Sequence, residues 1–148
     1  MKIDDEVENR VRTTLHHVVK QQLGDFTDSV ASYPDDRSRR QALELLVAVT
    51  HFVVLDAYGG LPTDDEVRDL AETVTDAESW LPVSVDEVEG YLRAVLVGRP
   101  LAEVLSPTTA VVLAFAVTGS LLSSRCQPDG EWWFNYLDKV EAAIEAAG

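Results

Sequence analysis

The sequence contains one cysteine, Cys126, so no disulfide can close within the chain. That fits a reducing compartment. Lysine is nearly missing: Lys2, Lys20 and Lys139 stand beside nine arginines and 26 acids. A net charge of −14 repels nucleic-acid phosphate and argues against direct DNA or RNA binding. No CxxC, HxxxH or paired ExxH spacing occurs, so no metal centre is expected. The alternating aspartates of a calcium loop are missing too. Gly59-Gly60 runs into Leu61-Pro62 without the spacing or the lysine of a phosphate loop. No nucleophile elbow surrounds Ser106, Ser123 or Ser124, and nothing signals a cofactor. The first ten residues, MKIDDEVENR, lack the apolar core of a signal peptide, so a cytoplasmic location is the expectation. Ala42–Leu55 and Ala110–Leu122 are apolar, yet both fall short of the ~20 residues that span a bilayer. The first also carries Glu44 and His51, so membrane insertion is not expected.

No apolar/polar alternation persists long enough to build a sheet; the periodicity present is helical. The length of 148 residues suits one domain. The stretch Gln41–Tyr58, QALELLVAVTHFVVLDAY, is apolar around its whole circumference. A helix without a wet face is a core helix or a membrane span; it is read as the central pillar on which the other segments pack. Gly59-Gly60 ends it. A second such helix runs from Pro107 to about Ser123 and has no charge at all. Ser106-Pro107 opens it as N-cap and first-turn proline, and Gly119 lets a neighbour approach closely. The two are expected to pack on each other. Burial at ~25 cal/mol per Å² makes them a large share of the folding drive.

The remaining segments read as helices around that pair. Val7, Val11, Leu15 and Val18 stripe a helix from Asp4 to Leu23, with Gly24 as its stop. Asp25–Asp36 reads as a connection with a short helical turn near Phe26–Val30, and Tyr33-Pro34 bars helix there. Asp35, Asp36 or Ser38 caps the central helix. Thr63-Asp64-Asp65-Glu66 and Ser84-Val85-Asp86-Glu87 are capping boxes, and Gly98 closes the second of those helices. Arg125–Glu131 is a turn, and the last helix covers about Trp132–Ala147. The expected fold is all-α: a single-domain orthogonal bundle of about six helices around two apolar core helices.

Five features carry candidate function. Residues 61–90 hold ten acids and one base; Asp65, Asp69, Glu72 and Asp76 fall on one helix face and suit a basic protein partner. An acidic, lysine-poor, valine-rich composition is also what halophilic or GC-rich genomes encode, so the charge has a compositional explanation as well. Trp132 and Phe134 flank the apolar stripe of the last helix and become interface anchors if exposed. Arg37, Arg39 and Arg40 form the one tight basic cluster, a candidate site for an anion or acidic partner. His51 and Glu44 are candidate polar groups of an apolar pocket between the core helices. Cys126 beside Arg125 has a cation near its thiol, though no triad partner is identifiable. The leading expectation is a non-enzymatic acidic interaction module, of an inhibitor, immunity-like or regulatory adaptor kind. The alternative is a small-molecule binder or small enzyme with its pocket at His51. A homo-oligomeric subunit, with an apolar helix face covered by its partner, is the third reading.

Overall fold

The computed structural model describes residues 1–125 and 131–147, and most of its helices begin where a side chain caps them. Helix α1 (Asp5–Val19) starts on Asp4, whose carboxylate accepts from the Val7 N–H. Helix α2 (Leu23–Ala31) follows after a tight turn. Helix α3 (Asp36–Tyr58) opens with a reciprocal box between Asp35 and Ser38. Those hydrogen bonds hold the Asp35 carboxyl below its usual range. Helices α4 (Asp64–Ala77) and α5 (Val85–Val97) begin with the Thr63/Glu66 and Ser84/Glu87 boxes. A 3₁₀ turn at Leu101–Glu103 leads to α6 (Pro107–Arg125), and α7 (Trp133–Ala146) ends the described chain. Gly59 and Gly98 close α3 and α5 in the left-handed region, at φ 68° and 72°, where a Cβ would be strained. The described residues contain seven α-helices and no strand, packed as one bundle.

The first helix holds the whole apolar stripe but is shorter than the Asp4–Leu23 expected. It ends at Val19, and Gln21 turns the chain at φ 55°. Gly24 therefore lies inside α2 instead of stopping α1. The expected single turn near Phe26 is a nine-residue helix. It is held by Phe26, which is buried edge-on against Trp80 and Phe115 at 5.9 and 6.0 Å.

Helix α6 is the axis of the bundle. Every residue from Leu113 to Leu122 is buried, with α3 on one side and α1 on another. Between α3 and α6 lies a small polar knot. Thr50 and Thr118 share a hydrogen bond of 3.0 Å, the buried Tyr91 hydroxyl reaches Thr50 at 3.3 Å, and Thr118 donates to the Leu46 carbonyl at 3.4 Å. Buried hydroxyls in an apolar layer need such partners, and the partners fix the register of the helices. Against α1 the approach is closer still. A Cβ at Gly119 would lie 2.6 Å from Cγ1 of Val18. The close approach read from the sequence is thus to α1, beside the α3 contact.

Candidate functional site

One face of α3 is left by this packing. Leu45, Leu46, Val49, Val53 and Val54 are fully buried, whereas Val47, Ala48, His51, Phe52 and Leu55 are half-buried on the opposite side. That outer face forms a trough of about 810 Å³ with Ala143, Ile144 and Ala147 of α7 and Val95 of α5. Glu44 and Asp56, both exposed, mark its two ends along α3, and His51 lies between them. The sequence placed His51 and Glu44 in a pocket between the core helices. They do share a concavity, but it is on the far side of α3, because α6 fills the inner side. Asp56 accepts a hydrogen bond from the Tyr136 hydroxyl at 3.2 Å. Burial, then the charge of Asp56, raise the Tyr136 hydroxyl to about 12.

Helix α7, one wall of the trough, is clasped to α1 by Arg12. That guanidinium donates to Glu8, to Asp138, to Glu141 at 2.9 Å and to the Phe134 carbonyl at 3.4 Å. Three carboxylates thus share one cation. Glu141 is only 8% exposed and its Oε2 has no hydrogen-bond partner among the described residues. Desolvation, reinforced by the charge of Glu8 and opposed by Arg12, pushes its carboxyl up to about 7. Sequence reading missed this cluster. Glu8 and Arg12 are visible as an i,i+4 pair, but their meeting with Glu141 requires the first and last helices to touch.

The acidic segment divides into bound and free charge. Arg68 pairs with Asp86 at 2.9 Å, Glu89 at 2.7 Å and Glu72 at 3.4 Å. Arg93 pairs with Asp64 at 2.7 Å and Glu89 at 2.9 Å. Glu66 and Glu87 are used in capping. Glu78 is buried and accepts from Trp80 Nε1 at 3.2 Å. Asp65, Asp69 and Asp76 remain exposed on α4, outside every ion pair among the described residues, while Glu72 is shared with Arg68.

Arg37, Arg39 and Arg40 are all exposed in the first turn and a half of α3, and Arg39 bonds Asp36 at 2.8 Å and the Tyr33 carbonyl at 3.3 Å. Trp132 and Phe134 are 64% and 40% exposed, with parallel rings 6.3 Å apart. Both face solvent where α7 begins. His16 and His17 lie on the outer side of α1, and no group of three or more potential metal ligands assembles among the described residues. Cys126, with the rest of 126–130 where a turn is expected from the sequence, lies outside the described residues.

No protein-family model matches the chain, and no match is found among curated proteins or solved structures.

Proposed function

We propose that this chain is a non-enzymatic protein-interaction module with a basic partner, of an inhibitor-like or regulatory adaptor kind. The observation that carries this reading is the sorting of charge in residues 61–90. Asp64, Glu72, Asp86 and Glu89 are ion-paired with Arg68 and Arg93, which offset half of their charge, yet Asp65, Asp69 and Asp76 stay exposed on one helix, outside every ion pair among the described residues. Fixed charge of one sign steers an oppositely charged partner and raises its association rate. The exposed pair Trp132 and Phe134 supplies the aromatic area that anchors interfaces.

The test is affinity capture from native lysate at low salt, with mass spectrometry of what elutes as salt rises. A basic protein should elute stoichiometrically, and its affinity should fall steeply with ionic strength. A blank, or binding indifferent to salt, overturns the reading. A second reading is favoured by the trough itself: His51 and Glu44 give an apolar concavity the few polar groups that a small-molecule site uses. Chemical-shift changes at His51 on titration with a small amphiphile, without any protein partner, would support that reading.

A further inference from the structure

We infer that the trough between α3 and α7 receives an amphipathic helix of the partner, about three turns long, apolar along one stripe and carrying Lys or Arg near each end. The inference rests on the interaction-module reading and gives it a location away from the α4 face. Shape comes first. Two helices form the rails, and Ala48, Ala143 and Ala147 supply small side chains. Small residues let a third backbone come near, and helices pack with axes about 8–10 Å apart. Val47, Phe52 and Leu55 offer half-buried apolar surface that α6 cannot cover, since it occupies the other face of α3. The described residues form no strand, so an extended segment would find no sheet edge to join.

Charge fixes the rest. Glu44 and Asp56 are twelve positions apart on one helix, which places them about 18 Å apart along the axis. Among the described residues Glu44 and Asp56 make no ion pair, and Asp56 accepts a hydrogen bond from the neutral Tyr136 hydroxyl. A basic residue near each end of a three-turn helix matches both. His51, midway, offers a hydrogen bond in the apolar stretch.

The probe is a fluorescent helical peptide of about 14 residues, with Leu and Ala at i, i+3, i+4, i+7 and i+11 spacing and Lys near both ends. Sedimentation first establishes whether the free chain self-associates. A dimer broken by Ala48→Arg would give the trough to a second copy and overturn the proposal. With a monomer, the expected result is saturable one-to-one binding, with amide shift changes at Val47, Ala48, His51, Phe52, Leu55 and Ile144. Ala48→Arg should weaken it about tenfold or more, the scale of losing a central contact. Glu44→Gln with Asp56→Asn, which leaves the fold's apolar contacts intact, should weaken it by about threefold to tenfold and flatten its salt dependence. The triple change Asp65→Asn, Asp69→Asn, Asp76→Asn should leave peptide affinity within about twofold, since those sites lie apart from the trough. Absence of saturable binding overturns the proposal. So does equal binding of a peptide with Glu in place of Lys. If affinity instead falls only with the α4 triple change, the trough assignment fails while the basic-partner reading stands.

Discussion

Helices α3 and α6 look alike in sequence and differ in the structure. Both are long and apolar, with the same mean hydropathy of 1.4 over an 18-residue window. Yet 61% of that window is buried in α6 and 39% in α3. The difference is positional. Helix α6 is enclosed by α1, α3, α5 and α7. Helix α3 lies at the side of the bundle, and α7 covers its outer face only in part. An apolar circumference thus says that a helix is central without saying that every side is covered. The uncovered remainder of α3 is the trough.

The largest test of that contrast is a pair of truncations. Phe115→Ala in α6 removes a ring that is 2% exposed, and should cost about 3–5 kcal/mol in urea denaturation. Phe52→Ala in the half-buried face of α3 should cost about 1 kcal/mol, near the average for a point substitution. Equal costs would mean that the outer face is as well packed as the inner one.

A second prediction concerns what holds α7 in place. The Glu141 carboxyl is raised in the folded state, to about 7 from an ordinary 4.5. A group shifted upward contributes stability that is complete below the unfolded value and is lost as pH rises through the folded one. Stability should therefore decline between about pH 4.5 and 7 on account of this residue. Glu141→Gln should remove that slope and leave the protein more stable than the parent at pH 8. A slope unchanged by the substitution would show that the carboxylate is fully compensated by Arg12.

The smallest effects separate two glycines. Gly119→Ala gains helix propensity but drives a Cβ to within 2.6 Å of Val18; the clash, of about 1–3 kcal/mol, should outweigh the gain. Gly90→Ala, in α5 with nothing within 4 Å of the added atom, should stabilise by about 0.5–1 kcal/mol. Thermal melts of the two variants should move in opposite directions.

Much of this architecture is legible in the sequence because it is enforced locally. The capping residues Asp35, Thr63 and Ser84, and the stops at Gly59 and Gly98, act within four residues of themselves, and all lie where their chemistry predicts. The end of α1 escaped because a non-glycine residue, Gln21, takes the left-handed turn; no residue type announces that. Gly24 misled for the same reason, being tolerated inside α2. For the candidate sites, the exposure of Trp132 and Phe134 needed the burial of their neighbours to be known. His51 and Glu44 were recognisable as a pair, since they share one helix, but not the side of α3 on which they open. That side depends on where α6 and α7 settle, and on a clasp between Arg12 and Glu141, 129 residues apart.

The clasp also sets an order of events. One wall of the trough, α7, is the last of the described helices, so the ribosome completes α3 long before the helix that flanks it. At about 5–20 residues per second, the delay is on the order of ten seconds. Throughout it, the outer face of α3 lies bare with no opposing wall, and a partner meeting the growing chain finds a single apolar helix instead of a trough. The trough is therefore complete only once α7 has been made, and Arg12, made early, waits for Glu141 to complete the clasp.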